Sequence, residues 1–95
     1  MENISGKKAL VTGGARGLGK ATAIALAKER VHTVITGRNE EQLKLTVEEI
    51  KSFGVQADYA VFDISNLESV QQEIQKLQQN FGDFDILINN AGIAS

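Results

Sequence analysis

Short apolar runs rich in β-branched residues alternate with longer amphipathic stretches along the whole chain. The short runs predict strands, and the longer stretches carry apolar residues three and four positions apart, as helices packed on a sheet do. The pattern predicts strands over residues 7–12, 32–37, 55–62 and 84–88, and helices over residues 17–30, 40–53 and 67–81.

This β-α-β-α-β-α-β order predicts the fold class. Strands that alternate with helices form a parallel sheet with right-handed crossovers. We therefore expect an α/β fold in three layers, a partial Rossmann fold with its four strands in the order 3-2-1-4 and a nucleotide site at the carboxyl ends of strands 1 and 4. Within residues 84–88 (FDILI) all but Asp85 are apolar, and this run predicts a strand buried on both faces.

Residues at the predicted helix ends support these boundaries. Asn39 is a good N-cap, and Glu40 would lie in the first turn, where the helix dipole favours an acidic side chain. Ser65–Glu68 is a capping box for the third helix. Gly54 supplies a left-handed stop after the second helix.

Composition excludes several classes of protein. The chain has 95 residues, a net charge of −2, no cysteine and one histidine. The charge gives no electrostatic case for nucleic acid or membrane surfaces, and without cysteine there is no disulfide or thiolate metal site. The apolar runs are too short to span a bilayer, and no secretory signal is visible. We expect one cytoplasmic domain over residues 1–95 that binds no metal.

The glycine-rich stretch after the first strand, VTGGARGLGKAT, matches two phosphate-binding patterns. From Gly14 it reads G-x-x-x-x-G-K, as in a nucleoside-triphosphate P-loop. That loop needs a Ser or Thr hydroxyl for magnesium directly after its lysine. Here Ala21 follows Lys20, and Thr22 comes one position late. A P-loop NTPase is therefore an alternative that lacks its metal ligand.

From Thr12 the same stretch reads T-G-x-x-x-G-x-G, a loop that holds a nicotinamide dinucleotide. Gly13 would turn the chain off the first strand, Gly17 would let the backbone approach the pyrophosphate, and Gly19 would let the helix pack close to the sheet. The start of the helix supplies N–H donors and positive potential for the diphosphate. Glycine-rich turns also serve as plain strand–helix corners, so the spacing alone leaves that alternative open.

Three motifs together resemble the short-chain dehydrogenase/reductase family. They are T-G-x-x-x-G-x-G at residues 12–19, Asp63-Ile64 after the third strand, and Asn89-Asn90-Ala91-Gly92 after the fourth. The resemblance covers essentially the whole chain and implies an oxidoreductase that interconverts a small-molecule carbonyl and an alcohol by hydride transfer. Within the family the sequence is most similar to 3-oxoacyl-acyl-carrier-protein reductases, which implies fatty acid biosynthesis.

The resemblance also implies which residues bind the dinucleotide. Asp63 would face the adenine amino group, although alone it also suits an ordinary strand end, and Asn89 would link the central strands. The implied cofactor-binding residues are Gly13, Gly14, Ala15 and Arg16 at the phosphates and the adenosine ribose, Gly17, Leu18 and Gly19 at the start of the helix, Asp63 and Ile64 at the adenine, and Asn90, Ala91 and Gly92 beside the ribose on the nicotinamide side.

The end of the second strand predicts the type of dinucleotide. NAD-specific sites place a carboxylate there to hold the ribose hydroxyls, but this position is Gly37. Arg38 follows it, and Arg16 projects from the glycine loop, so two guanidinium groups could hold a 2′-phosphate with charge-assisted hydrogen bonds. Two solvated surface arginines are the alternative. We expect NADP(H) as the cofactor.

The family's catalytic tyrosine, the lysine four residues after it and the catalytic serine cannot be placed in this chain. The only tyrosine, Tyr59, is followed four positions later by Asp63 and falls on the third strand, so we assign it an ordinary sheet position and name no catalytic residue. In the family the catalytic region lies beyond the Asn-Asn-Ala-Gly turn. We therefore expect the N-terminal cofactor-binding part of a longer enzyme, truncated before the remaining strands and helices and inactive by itself.

A chain of this kind would leave part of its sheet uncovered. The outer edge of the fourth strand and the bare sheet face would expose apolar surface, which predicts self-association. Arg30 stands where family members often carry glycine, so it must adopt a left-handed conformation at about 1 kcal/mol or let the first helix end differently. A non-catalytic nucleotide-binding or interaction module remains the alternative to an oxidoreductase.

Overall fold

A computed structural model describes residues 3–61 and 67–90. Its elements follow the predicted order: β1 (Lys8–Thr12), α1 (Gly17–Lys28), β2 (His32–Gly37), α2 (Glu40–Lys51), β3 (Ala57–Val61), α3 (Leu67–Phe81) and β4 (Ile86–Asn89). The four strands form one parallel sheet in the order β3-β2-β1-β4. The predicted α/β class and the 3-2-1-4 strand order are confirmed.

The two faces of the sheet pack against different helices, because side chains alternate along each strand. Leu10 and Val34 pack with Leu77 of α3 on one face. Val11 and Ile35 point to the other face, where α1 contributes small alanines and α2 contributes its apolar stripe. This larger cluster consists of Val11, Ala23, Ala27, Ile35, Leu43, Val47, Ile50 and Val55. The sheet therefore lies between two helical layers.

β3 and β4 both begin two residues later than predicted. Before β3, the backbone N–H of Gln56 donates to Nδ1 of His32 at 3.0 Å, so this residue is engaged by a side chain at the start of β2. Before β4, the carboxylate of Asp85 accepts a hydrogen bond from the backbone N–H of Lys8 at 3.0 Å, and the Asp85 N–H donates to the Lys8 carbonyl. Side-chain hydrogen bonds thus fix the points at which these two strands join the sheet.

β4 is not buried on both faces, and that prediction was wrong for the described residues. Leu87 is 64% exposed, and Ile86 and Ile88 are only half-buried. In the part of the chain that the structure describes, β4 pairs with β1 and with no other strand. An apolar strand becomes buried on both faces only where other elements cover both faces. The described elements leave β4 partly exposed. The exposed Leu87 agrees with the expected self-association, which stays a prediction.

Arg30 ends α1 in a left-handed conformation, which is the first of the two alternatives that its position allowed. Its φ is 68°, and its N–H donates to the Ala27 carbonyl while the N–H of Val31 donates to the Leu26 carbonyl. The guanidinium then donates to the Phe53 carbonyl at 2.7 Å, in the turn that follows α2. This hydrogen bond, which glycine could not make, offsets the strain at Arg30.

The start of α2 matches its predicted cap. Asn39 has an extended backbone, and its side-chain oxygen accepts a hydrogen bond from the N–H of Gln42 at 3.1 Å. Glu40 and Glu41 lie in the first turn, as the dipole favours. The capping box predicted at Ser65–Glu68 begins outside the described residues.

Replacing Asn39 by alanine should destabilise the protein without disturbing its core. Asn39→Ala leaves the N–H of Gln42 without its side-chain acceptor, and we expect the free energy of unfolding to fall by about 1 kcal/mol in urea titrations. Asn39→Ser restores an acceptor at the same place and should recover most of the loss. Equal losses for the two variants would show that the cap does not stabilise α2.

Candidate functional site

The glycine loop, residues 13–16, connects β1 to α1 at the carboxyl edge of the sheet. Gly13 has a φ of 67°, which agrees with the sharp turn predicted there. The N–H of Gly14 donates to the Thr36 carbonyl at 3.1 Å, and a Cβ added to Gly14 would come within 2.5 Å of Cγ2 of Ile35. Gly14 therefore holds the loop flat against β2, a packing role that the sequence did not indicate.

α1 begins in close contact with the glycine loop itself. A Cβ on Gly19 would collide with the carbonyl oxygen of Gly13, so only glycine permits this approach. Gly19 thus lies against the residue that directly follows β1, and its predicted role in packing the helix close to the sheet stays a prediction. Gly17 differs, because it has a φ of 53° and open space where a Cβ would point. Gly17 is therefore suited to the left-handed backbone conformation, and it leaves the surface at the start of α1 without a side chain.

The N-terminus of α1 opens onto the same edge. Arg16 occupies the N-cap position with an extended backbone and no side-chain capping hydrogen bond, and the first turn contains no acidic residue. The first N–H groups of a helix have no acceptor within the helix. With the positive end of the helix dipole, they make a place where an anion such as phosphate can bind.

The side chains of Arg16 and Arg38 have no ionic partner within the described residues. Arg16 lies on the loop and Arg38 directly after β2, both side chains are exposed, and neither forms an ion pair or hydrogen bond with any residue in 3–61 or 67–90. Between them Gly37 closes β2 without a carboxylate. The edge where the loop and the helix N-terminus lie thus has two guanidinium groups without a partner among the described residues.

Lys20 argues against the P-loop alternative. Its Nζ lies 3.0 Å from Oε1 of Glu49, so the ammonium group is paired with α2 rather than directed at the glycine loop. A P-loop lysine instead reaches the β- and γ-phosphates. Lys20 here links two helices.

The carboxyl end of β4 completes this edge of the sheet. The hydroxyl of Thr12 donates to Oδ1 of Asn89 at 2.8 Å. The two residues are register partners in β1 and β4, so the predicted link between the central strands through Asn89 is confirmed. The edge is therefore fixed by side chains as well as by the backbone ladder.

Two buried polar atoms near this edge have no hydrogen-bond partner among the described residues: Oγ1 of Thr36 and Nδ2 of Asn90. Thr36 is the register partner of Thr12, and Asn90 directly follows β4. Buried polar atoms normally have partners, so both can bind a water molecule or a ligand group. Asn90 was assigned a place beside a ribose, which stays a prediction. The sequence analysis did not predict Thr36 as a site residue. The signal that could have found it is a polar residue next to the apolar residues of β2.

Four of the predicted site residues, Asp63, Ile64, Ala91 and Gly92, lie outside the described residues. Within residues 3–61 and 67–90, no group of His, Cys, Asp and Glu could hold a metal ion. Over the same residues no helix has both the length and the apolar character needed to cross a membrane.

Tyr59 lies on β3, as predicted, and its hydroxyl is engaged by α2. The phenol O–H donates to Oε2 of Glu40 at 3.0 Å. Partial burial of the ring, followed by this hydrogen bond and the negative charges of Glu40 and Asp58, raises the pKa of Tyr59. The hydroxyl is protonated at neutral pH, as in an ordinary tyrosine. The sequence did not indicate this contact.

The sheet order, the glycine loop and the open helix N-terminus define the class of this protein. Rossmann-type α/β folds bind the phosphates of a dinucleotide at this point, where the first strand meets the first helix. The family model for short chain dehydrogenase matches residues 7–95. The chain belongs to the short-chain dehydrogenase family, and the resemblance carried by its three motifs is confirmed at that level.

Relatives and solved structures give the same family. Gluconate 5-dehydrogenase of Gluconobacter oxydans (strain 621H) is 40% identical over 91 residues, covering 96% of this chain and 36% of that protein. L-Sorbose reductase from Gluconobacter frateurii, solved with NADPH and L-sorbose, superposes with a TM-score of 0.89 and 37% identity over 98% of this chain and 36% of that one. NAD⁺-bound xylitol dehydrogenase superposes with a TM-score of 0.90 and 34% identity, covering 97% of this chain and 35% of that one.

The chain thus spans about a third of the length of these relatives. One is named for gluconate, one for L-sorbose and one for xylitol, so they do not support the narrower similarity to 3-oxoacyl-acyl-carrier-protein reductases. NADPH is bound in one of the two structures and NAD⁺ in the other. Family membership alone therefore does not decide which cofactor binds. The choice has to be argued from the residues of this chain.

Substitutions at Gly17 and Gly19 should separate backbone strain from steric collision. The methyl group of Gly17→Ala would point into open space, so the only cost is that of a left-handed alanine. We expect the free energy of unfolding to fall by about 1 kcal/mol. Gly19→Ala adds a methyl group against the Gly13 carbonyl and should cost about 3 kcal/mol, the upper end of typical overpacking. Urea titration of both variants measures the difference, and similar losses would refute the close contact.

Proposed function

We propose that this chain is the NADP(H)-binding part of a longer oxidoreductase that interconverts a carbonyl and an alcohol by hydride transfer. Arg16 and Arg38 carry the choice of cofactor, because both guanidinium groups are exposed and without a partner among the described residues. Gly37, at the end of β2, offers no carboxylate to a ribose hydroxyl. The 2′-phosphate is the group that distinguishes NADP from NAD, and it is dianionic or nearly so at neutral pH.

The electrostatics of this edge favour the phosphate over the hydroxyl. A carboxylate at the end of β2 would repel a 2′-phosphate, whereas two arginines can each donate charge-assisted hydrogen bonds to it. L-Sorbose reductase, the relative that binds NADPH, gives further support. Xylitol dehydrogenase has the same fold here but binds NAD⁺, so the fold does not select the cofactor. The proposal of NADP(H) therefore rests on the two arginines.

The remaining parts of the cofactor have assigned positions on the chain. A bound nicotinamide supplies or accepts the hydride. The N-terminus of α1 and the glycine loop hold the diphosphate. The resemblance assigns the adenine to Asp63 and Ile64, and the ribose on the nicotinamide side to Asn90, Ala91 and Gly92. Nδ2 of Asn90 has no hydrogen-bond partner among the described residues, which supports that last assignment, since a ribose hydroxyl can accept its hydrogen bond.

The acid–base chemistry is assigned to residues outside this chain. Tyr59 is half-buried on β3 and donates its hydroxyl to Glu40, so it is not free to protonate a carbonyl. We therefore propose that the catalytic tyrosine, lysine and serine belong to the part of the enzyme that these residues do not include. The substrate is a small-molecule ketone or alcohol. Three relatives are named for the polyhydroxylated compounds gluconate, L-sorbose and xylitol, and another is named a ketoacyl reductase, so polyhydroxylated compounds and 3-oxoacyl thioesters are both candidates.

Equilibrium titration of the full-length protein with both cofactors tests the proposed specificity. NADP(H) should bind more tightly than NAD(H). Arg38→Gln and Arg16→Gln should each weaken NADP(H) binding by about tenfold, about 1.4 kcal/mol, because each removes a charged donor to the 2′-phosphate, and should leave NAD(H) binding nearly unchanged. Lys28→Gln removes the same charge at the far end of α1 and should have no effect. Tighter binding of NAD(H) to the unaltered protein would refute the assignment.

Turnover assays test the proposed reaction and the location of the catalytic residues. The full-length protein should oxidise NADPH when given a ketone, with the ketose L-sorbose and a 3-oxoacyl thioester compared side by side. The chain of residues 1–95 should bind cofactor without consuming it. Turnover by that chain would place the acid–base residues within it, and absence of any NADPH-dependent reduction by the full-length protein over a broad carbonyl panel would favour a non-catalytic module.

A further inference from the structure

Glu40 is the acidic residue closest to Arg38 along the chain, and it lies at the start of α2. A carboxylate two residues from an exposed arginine is placed to neutralise it. Yet Arg38 forms no ion pair within the described residues, and the Glu40 carboxylate accepts the hydroxyl of Tyr59 instead. The carboxylate nearest to Arg38 in the sequence is thus engaged by Tyr59.

The position of Tyr59 is fixed by the sheet. It is the register partner of Ile35 on the neighbouring strand and packs at the margin of the core between the sheet and α2. From there its hydroxyl reaches the first turn of α2, 19 residues back along the chain. The phenol is protonated at neutral pH, as in any tyrosine, and its pKa is raised further, so it remains a hydrogen-bond donor through the neutral range. Tyr59 can therefore hold Glu40 at a defined place.

We propose that Tyr59 is a specificity-determining positioning residue, which holds the Glu40 carboxylate on the β3 side of α2 and so keeps Arg38 free for a 2′-phosphate. This inference rests on the proposed NADP(H) binding and adds to it a residue that does not touch the cofactor. A released Glu40 carboxylate would have two other uses. It would pair with Arg38, or it would accept hydrogen bonds from the ribose hydroxyls, as the acidic residue of NAD sites does.

Both uses predict the same change in cofactor preference. Pairing with Arg38 removes a donor from the 2′-phosphate, and a free carboxylate near that phosphate repels it. Binding a ribose hydroxyl favours NAD(H). Loss of the Tyr59 hydroxyl should therefore weaken NADP(H) binding while NAD(H) binding stays constant or improves. A purely structural role would instead weaken the binding of both cofactors alike.

The test is the ratio of the dissociation constants for NAD(H) and NADP(H), measured on the full-length protein by equilibrium titration. Tyr59→Phe keeps the ring and removes the donor. We expect the preference for NADP(H) to fall about two- to fivefold, the range of interactions between exposed charges. The fall should shrink in high salt, because the interaction is between exposed charges. Glu40→Asp keeps the charge on a side chain one methylene shorter. We expect it to lose the hydrogen bond to the hydroxyl and to give the same fall without altering the tyrosine.

Rescue identifies the carboxylate that is responsible. Adding Glu40→Gln to Tyr59→Phe removes the released charge and should restore the preference for NADP(H). Glu41→Gln is the matched control, because it removes the same charge one position further along α2 from a residue that does not contact Tyr59. It should restore little in the same background. Equal rescue by both would show a general charge effect and would overturn the positional role of Tyr59.

The outcomes separate this inference from the proposed function. If the unaltered protein does not prefer NADP(H), the proposed function fails, and this inference fails with it. If the unaltered protein prefers NADP(H), and Tyr59→Phe and Glu40→Asp both leave the preference unchanged, only the role of Tyr59 is overturned. A parallel loss of affinity for both cofactors also overturns it, since that result means a structural defect.

Discussion

The close contact between α1 and the glycine loop constrains the rest of the site. Gly19 lies against the carbonyl oxygen of Gly13, and this approach decides where the helix begins relative to β1. With the helix in that place, Ala23 and Ala27 reach the sheet and become fully buried. The same placement opens the N-terminus of α1 at the carboxyl edge, beside Arg16. The packing of the core and the position of the anion site thus depend on one distance that only glycine allows.

Periodicity predicted the sheet well because burial of one face per element is a local requirement. The alternation of strands and helices gave the order 3-2-1-4, and the cap at Asn39 could be inferred from the residue types. For Arg30, the family resemblance left two backbone conformations open. The exposure of Leu87 could not be inferred from the sequence, since it depends on which elements lie beside β4. The glycine loop was predicted as a phosphate-binding turn, but the contact of Gly14 with β2 was not.

The pairing of Tyr59 with Glu40 was equally inaccessible from the sequence. Their hydrogen bond joins side chains on different elements, and it forms only once β3 lies beside β2 and α2 packs across both. Without the strand register, the sequence shows only a tyrosine on a strand and a glutamate in the first turn of a helix. Each is explained by its own element, so nothing in the sequence connects them. Side-chain contacts of this kind are set by tertiary structure, and they are where the specificity of a shared fold resides.

Arg30 and Lys20 join the two helices on one face of the sheet at separate points. The Arg30 guanidinium binds the Phe53 carbonyl beyond the end of α2, and the Lys20 ammonium pairs with Glu49 within it. Each interaction is exposed and contributes little by itself. Both contacts connect α1 to α2, and the two helices also share one apolar cluster. We therefore expect them to open as one unit, so that their backbone amides would exchange with solvent together and the phosphate-binding edge would become exposed in one step.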